Sequence, residues 1–256
     1  MSRSVVTLSA RGVDRLRAGH PWVYRSDVRS SNAEPGDLVR VDSERGRPLG
    51  TGFWSSTSQI ALRFLGAEDV LDEREMFRER VRAALAFRDT LGIDGTAWRA
   101  VNAEADRLPG LIVDVYGEGS ARALVVQTLT QGMDRRLPLL TEVLVELLAP
   151  RGILARNDPK VRSLEGLPEQ VVVAYGDVPE AVEVREGPVR YAADLHHGQK
   201  TGLFLDQREN RAMAAGYARG RGLDAFAYHG GFALRLAARC DAVTALDSSA
   251  PAVAEI

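Results

Sequence analysis

The sequence contains little cysteine, little lysine and no long apolar run, and each scarcity excludes a class of protein. A single cysteine, Cys240, excludes an intramolecular disulfide and is typical of a reducing compartment, so we predict a cytoplasmic location. No apolar run approaches the roughly 18 residues of a membrane span, and the first residues lack the apolar core of a secretion signal. We therefore predict no membrane association. No metal site is predicted either, because none of the four histidines has zinc-ligand spacing with another ligand.

The basic charge is almost all arginine and is unevenly distributed. Only Lys160 and Lys200 are lysines, so arginine supplies 31 of the 33 basic residues. Residues 1–65 contain ten arginines and six acidic residues, a net charge of +4 in a chain whose formal net charge is −2. Arginine is suited to forked contacts with phosphate and to stacking on bases. A genome rich in G and C explains the arginine bias equally well.

The first of three predicted domains, residues 1–70, consists of short alternating runs separated by turn residues. The pattern predicts a small β-barrel or β-sandwich with about one helical turn near Asp14–Ala18. The predicted strands are Val5–Leu8, Leu38–Val41 and Gln59–Phe64, with turns at Glu34–Asp37 and Arg45–Pro48.

The second predicted domain, residues 72–184, begins where the apolar period changes to that of a helix. Helices are predicted over Asp72–Leu91 and Met133–Leu148. Strands are predicted at Trp98–Val101, Leu111–Tyr116, Ala123–Leu129, Ile153–Arg156 and Val171–Tyr175. This order is typical of a compact α+β domain.

The third predicted domain, residues 185–256, follows a hairpin formed by Ala181–Glu186 and Val189–Asp194. Within it, Gly222–Phe232 reads as a strand interrupted by paired glycines, followed by a helix through Ala238. A second strand, Ala242–Asp247, ends in a carboxylate. This is half of a βαβ unit with a glycine-rich first turn, which is typical of a site for a nucleoside cofactor.

The motif favours S-adenosylmethionine over a dinucleotide. The fingerprint G-x-G-x-x-G is absent, and a ligand without phosphates needs fewer exposed backbone N–H groups at the start of the helix. The carboxylate of Asp247 can accept both hydroxyls of a ribose, and Asp224 can face the methionine ammonium. The alternative is that Gly230 and Gly231 simply form a tight turn. A nicotinamide-dependent oxidoreductase is disfavoured by the missing fingerprint.

A second segment, His197–Arg211, precedes the glycine turn and is rich in hydrogen-bond donors. It is predicted to open a helix over Gln207–Tyr217, with Asp206 as its N-cap. For Asp206 the alternative to ligand binding is capping alone, and for Lys200 it is a solvated surface charge.

The two segments together resemble a known family. Gly198–Arg208, Leu223–Phe226, Tyr228–Phe232 and Asp247–Ser249 are similar to the bacterial large-subunit ribosomal RNA cytosine-C5 methyltransferases that carry an N-terminal PUA domain. The start of the chain, Gly12–Tyr24, resembles the opening of that PUA domain. The resemblance implies a multidomain α/β protein with a β-barrel-like PUA domain, a central α+β domain and the start of a Rossmann-like methyltransferase domain.

The resemblance also implies the positions of a donor site for S-adenosylmethionine. The segment Gln199, Lys200 and Thr201 would line the donor pocket together with Phe204, Asp206 and Gln207. The methionine part would be enclosed by Asp224, Tyr228, Gly230 and Phe232. Asp247 would bind the ribose, and Ser248 would lie near the adenine.

The catalytic residues of that family do not match any position of this sequence. Cytosine C5 becomes nucleophilic only after a thiolate adds at C6, and the family's cysteine is expected beyond Ile256. We interpret Cys240 as a small packed residue. The 256-residue chain is therefore expected to be inactive by itself.

Ribosomal RNA is the predicted partner, and the N-terminal domain is the predicted contact region. Arg17, Arg25 and Arg29 are candidates for phosphate contacts, and Trp22 for stacking on a base. The alternative for Trp22 is a role in the core of the small β domain. Two other hypotheses remain: a methyltransferase for another RNA base such as guanine N2, and a non-catalytic RNA-binding protein. A homodimer is compatible with the sequence.

Overall fold

The computed structural model describes residues 3–254, and within this range the chain forms four β-sheets and seven α-helices. The ends of the first and third predicted domains, residues 1–2 and 255–256, lie outside the described residues. No helix among residues 3–254 is both long and apolar enough to cross a membrane.

The N-terminal region is a mixed six-stranded sheet. Its strands are β1 (Val5–Leu8), β2 (Trp22–Tyr24), β3 (Val28–Ser31), β4 (Leu38–Ser43), β5 (Pro48–Trp54) and β6 (Ile60–Gly66), and its helix is α1 (Ala10–Arg17). The strand order is β2-β6-β5-β4-β1-β3, and only β1 and β4 run parallel. The Ser9 side chain caps α1 by accepting the N–H of Gly12 at 3.2 Å. Val6, Val39 and Leu62 belong to the core of this sheet.

The middle region is a five-stranded sheet whose two faces are both covered. Its elements are α2 (Glu73–Asp89), β7 (Ala97–Asn102), β8 (Leu111–Tyr116), β9 (Ala123–Thr128), α3 (Gln131–Asp134), α4 (Leu137–Leu148), β10 (Gly152–Asn157) and β11 (Gln170–Gly176). The strand order is β11-β10-β9-β8-β7, with β9 and β10 parallel. Leu124 and Val126 of β9 belong to the core that contains α2 and α4, whereas Ala123 and Val125 pack on the opposite side. Strand side chains alternate between the two faces, and both faces are covered, so all six residues of β8 are buried.

A two-stranded hairpin covers the second face of this sheet. It consists of β12 (Ala181–Glu186) and β13 (Val189–Asp194), which are antiparallel. Gly187 occupies the turn with φ +54°, a conformation that favours glycine. Val182 and Val184 pack against Tyr116 and Val125 of the sheet, which attaches the hairpin to the middle region.

The last part of the chain is a βαβ unit preceded by a helix. Its elements are α5 (Arg208–Tyr217), β14 (Arg221–Ala225), α6 (Gly231–Ala237), β15 (Ala242–Leu246) and α7 (Ala250–Ala254). The strands β14 and β15 are parallel, as predicted from the sequence.

Several predicted boundaries were wrong. The helix predicted over Met133–Leu148 is divided into α3 and α4, because Pro138 occupies the first turn of α4, where a missing N–H is tolerated. The helical turn predicted near Asp14 is a longer helix that begins at Ala10. The strands β2, β3 and β5 were not predicted, and β5 begins at Pro48, inside a predicted turn.

Candidate cofactor site

The glycine turn after β14 is fixed against the end of β15. The backbone N–H groups of Phe226 and Ala227 both donate to the carbonyl of Leu246, at 2.8 and 3.0 Å. Phe226, Tyr228 and Gly230 have φ values of +65°, +49° and +69°. Two of these are non-glycine residues in the left-handed region, a strained conformation that surrounding contacts must maintain and that is common at ligand sites.

Asp247 faces this turn from the tip of β15. One carboxylate oxygen accepts the N–H of Tyr228 at 2.8 Å, and the other accepts the N–H of Ser249 at 2.8 Å. These backbone hydrogen bonds from Ser249 and Tyr228 lower the pKa of Asp247 below its ordinary value. The carboxylate is therefore ionised at neutral pH, and each oxygen retains further capacity to accept hydrogen bonds.

The segment Gly198–Gln207 forms the opposite wall. The N–H of Gln199 donates to the phenol oxygen of Tyr228 at 2.8 Å. The rings of Phe204 and Tyr228 pack edge to face with centroids 5.5 Å apart. Lys200 lies over the Phe204 ring at 4.4 Å and forms an ion pair of 2.8 Å with Asp206. Burial is the largest single influence on Asp206 and opposes its ionisation, but the hydrogen bond and charge of Lys200 together with further hydrogen bonds outweigh it, and the pKa of Asp206 is lowered.

These walls enclose a cavity of about 420 Å³. Six of the predicted donor-site residues line it: Gln199, Phe204, Gln207, Tyr228, Phe232 and Asp247. Sequence reasoning missed Tyr191, and it assigned no role to Leu203 or Arg211, although both lie within the quoted segment His197–Arg211. It also missed Phe226, Ala227, His229 and Gly231 as lining residues, although these lie within the predicted glycine turn.

The other six predicted donor-site residues lie around the cavity and do not line it. Lys200 and Asp206 form their ion pair on its exposed side, and Ser248 is exposed beyond Asp247. Gly230 caps the start of α6. Thr201 is buried and bonded to the middle sheet, as its hydroxyl donates to Asp114 at 2.6 Å.

Asp224 is also buried, and its side chain links β14 to α6. Its carboxylate accepts the N–H of Ala233 in α6 at 2.8 Å. Burial raises the pKa of Asp224, and the nearby charge of Asp247 adds to that shift.

A buried ion pair underlies the cavity. Arg211 of α5 donates through Nε to Glu186 of β12 at 3.0 Å, and its guanidinium also donates to the carbonyl of Phe204 at 3.2 Å. Arg235 of α6 lies 3.5 Å from the same carboxylate. Glu186 therefore joins the hairpin to α5 through Arg211 and to α6 through Arg235.

The predicted RNA-contact residues have different surroundings. Arg17 is exposed and lies 3.7 Å from Asp14, and Arg29 pairs with Glu44. Arg25 instead donates to the carbonyls of Ser55 and Ser58 at 2.8 Å.

Trp22 is half-buried at the junction between the N-terminal and middle regions. Its indole N–H donates to Glu104 at 3.0 Å. The structure therefore gives both Arg25 and Trp22 structural contacts.

No group of histidine, cysteine or carboxylate side chains among residues 3–254 is arranged to hold a metal ion. Cys240 is partly buried after α6, and its Sγ lies 3.3 Å from the position that a Cβ on Gly222 would occupy.

Comparisons with known proteins agree with this arrangement. Residues 6–66 match the model of a PUA-like domain. The chain is 38% identical over 225 residues to ribosomal RNA large subunit methyltransferase I of Shewanella amazonensis, and 37% identical over 257 residues to that of Pseudoalteromonas atlantica. These alignments cover 84% and 96% of this chain but 55% and 63% of the relatives. The chain thus spans less than two thirds of these relatives.

Two solved structures share the fold. One is a candidate S-adenosylmethionine-dependent methyltransferase from Streptococcus mutans, with a TM-score of 0.80, 20% identity, and coverage of 98% of this chain and 65% of that chain. The other is a candidate methyltransferase complexed with S-adenosylhomocysteine, with a TM-score of 0.81, 19% identity, and coverage of 98% and 64%. The comparisons confirm the predicted fold class and the predicted resemblance to PUA-containing ribosomal RNA methyltransferases.

Proposed function

We propose that this chain forms the RNA-binding and donor-binding regions of an S-adenosylmethionine-dependent methyltransferase that modifies large-subunit ribosomal RNA. The observation that carries the proposal is the 2.8 Å hydrogen bond between the N–H of Tyr228 and the carboxylate of Asp247. It brings the glycine turn and the acidic strand tip to one cavity, so that a single small molecule can contact both. The names of the relatives support the same reaction class.

The residues that line the cavity fit an adenosine with a methionine chain. A volume of about 420 Å³ lies within the range of roughly 300–1,000 Å³ that small-molecule sites occupy. The ionised Asp247 offers two acceptor oxygens to the hydroxyls of a ribose, while Phe204, Phe226 and Tyr228 supply apolar surface. S-Adenosylmethionine supplies a methyl group on a sulfonium, and the role of these side chains is to fix its orientation and exclude water.

The N-terminal sheet is the proposed RNA-binding region. Its net charge of +4 over residues 1–65 favours contact with phosphates, which give affinity and position. Arg17 and Arg29 are the proposed phosphate contacts because they are exposed, whereas the guanidinium of Arg25 is bonded to backbone carbonyls. The proposed domains are the PUA-like region 1–70, the central region 72–184 and the methyltransferase region 185–256.

The finer proposal is that the product is 5-methylcytosine. That reaction needs a thiolate that reaches cytosine C6. The chain's one thiol belongs to Cys240, which is partly buried against β14 and lies outside the lining of the cavity. We therefore expect the 256-residue chain to bind the donor without transferring its methyl group. A methyltransferase that modifies the amino group of guanine would not need the thiol.

Calorimetric titration of the chain with S-adenosylhomocysteine, S-adenosylmethionine and NAD⁺ tests the proposal. Binding of the two sulfur nucleosides without binding of NAD⁺ is expected. Binding of NAD⁺ alone would favour a dinucleotide enzyme, and binding of none of the three would favour a non-catalytic RNA-binding protein. Transfer of labelled methyl groups to ribosomal RNA by the 256-residue chain would contradict the expected lack of turnover.

A further inference from the structure

Two buried polar side chains of the middle sheet point at the segment Gly198–Gln207, which forms one wall of the cavity. Asp114 and Tyr116 lie two residues apart on β8 and are both fully buried. They share the face opposite Val113 and Val115, because side chains alternate along a strand. That face is the one covered by the hairpin and by Leu203 and Leu205. The polar pair therefore lies beneath the segment that forms one wall of the cavity.

The hydroxyl of Thr201 completes a directional chain of hydrogen bonds with this pair. Thr201 donates to Asp114 at 2.6 Å, so the phenol of Tyr116, 3.0 Å away, must be the donor to the Thr201 oxygen. The same phenol oxygen accepts the N–H of Leu203 at 3.3 Å. Burial raises the pKa of Tyr116 well above its ordinary value, which keeps the donating proton on the phenol at neutral pH.

Arg99 stabilises the buried carboxylate at the base of this chain. Its guanidinium makes a forked contact with Asp114, with distances of 2.9 and 3.0 Å. The hydrogen bond to Asp114 raises the pKa of Arg99, so the guanidinium is charged at neutral pH. The forked contact holds the Asp114 side chain in place, and its Oδ2 accepts the Thr201 hydroxyl.

A second attachment holds the start of the same segment. Arg156 of β10 is buried, and its Nη1 donates to the carbonyls of Leu195 and Gly198 at 2.9 and 3.1 Å. The segment is thus bonded to the middle sheet at two points, Gly198 and Thr201. Between the attachments, Lys200 has φ +56°, a strained conformation that needs such support.

We propose that Thr201, Asp114 and Tyr116 are positioning residues for the donor site, which makes donor affinity depend on the middle sheet. The inference rests on the proposed function. Thr201 lies two residues from both Gln199 and Leu203, which line the cavity. Removing its hydroxyl would release both lining residues although Thr201 itself does not line the cavity.

The test compares Thr201→Val, which removes the hydroxyl at nearly constant shape, with Thr201→Ser, which retains it. Thr51→Val is the matched control, because Thr51 is equally buried and its hydroxyl donates to the Glu68 carbonyl at 3.1 Å, outside the cavity lining. The measurements are the dissociation constant of S-adenosylhomocysteine by calorimetry, amide exchange over residues 199–203 without ligand, and the unfolding temperature.

Thr201→Val is expected to weaken binding by about tenfold, the equivalent of roughly 1.4 kcal/mol, and to accelerate exchange over 199–203. Thr201→Ser is expected to keep the wild-type affinity and the wild-type exchange over 199–203. Thr51→Val is expected to lower the unfolding temperature without weakening binding. Equal affinity of the wild type and Thr201→Val would overturn the inference and leave the proposed function intact. A wild type that binds no donor would instead overturn the proposed function, and with it the assigned role of the three residues.

Discussion

The N–H of Gln199 donates to the phenol oxygen of Tyr228 at 2.8 Å, which links the two segments that the sequence singled out separately. Twenty-nine positions separate the two residues in the chain. Their hydrogen bond joins the segment Gly198–Gln207 to the glycine turn, on opposite walls of the cavity. Residues of both segments line the same cavity.

Tyr228→Phe is expected to weaken binding of S-adenosylhomocysteine about fivefold, because one hydrogen bond contributes roughly 1 kcal/mol. The ring contact with Phe204 remains, so the unfolding temperature should fall by no more than about 2–4 °C. Tyr217→Phe is the control, because Tyr217 at the end of α5 is 80% exposed and lies outside the lining of the cavity. Calorimetry that found equal losses in both variants would contradict the assigned role of the Tyr228 phenol.

Glu186→Ala is expected to destabilise the protein by about 3 kcal/mol, because it leaves the buried guanidinium of Arg211 without its counter-charge. Glu183→Ala removes an exposed pair with Arg190 and should cost less than about 1 kcal/mol. Urea unfolding of the two variants measures the difference. Similar stabilities would show that the pair below the cavity contributes little to the fold.

If Arg17 contacts one phosphate, Arg17→Gln is expected to reduce the slope of the logarithm of the RNA-binding constant against the logarithm of the salt concentration by about one. The unfolding temperature should not change. Arg25→Gln should lower the unfolding temperature, because it removes the bonds to the carbonyls of Ser55 and Ser58. Binding to large-subunit ribosomal RNA at several salt concentrations tests the first expectation. An unchanged slope for Arg17→Gln would remove it from the proposed contact surface.

The stability of the wild type should depend on pH through Asp224. Burial raises the folded-state pKa of this carboxyl above its ordinary value of 3.8, so the folded state binds its proton more readily than the unfolded state does. The stability contributed by this group therefore falls as pH rises through the folded pKa. Asp224→Asn is expected to be more stable than the wild type near neutral pH, and this advantage should shrink as pH falls toward 3.8. Chemical unfolding over a pH series would contradict this if the difference stayed constant.

The sequence predicted the elements of the site better than the elements of the N-terminal sheet. The βαβ unit and the hairpin have strong local signals, namely paired glycines and alternating residues bounded by Gly187-Pro188. By contrast, β2 has only three residues, and β5 begins at a proline and contains two glycines, so neither has a clear alternating pattern. Their pairing depends on partners far along the chain, which periodicity does not reveal.

The same limit applies to the site residues. Gln199, Tyr228 and Asp247 were predicted because they lie in the motifs, and the structure brings them to one cavity. Tyr191 could not be predicted from its local pattern, because its role depends on how the hairpin packs. Asp114 and Tyr116 occur within a buried strand that looks purely structural, and only the fold places them under Thr201.

The affinity of Asp247→Asn for S-adenosylhomocysteine, measured by calorimetry beside Asp241→Asn, tests the proposed cofactor site most directly. Asp241 is an exposed carboxylate next to the start of β15, so its substitution removes the same charge away from the cavity. Asp247→Asn should bind at least about tenfold more weakly than the wild type, because it loses charge-assisted hydrogen bonds to the ribose, whereas Asp241→Asn should bind normally. Unchanged affinity in Asp247→Asn would contradict the claim that the glycine turn and the strand tip bind one adenosine between them.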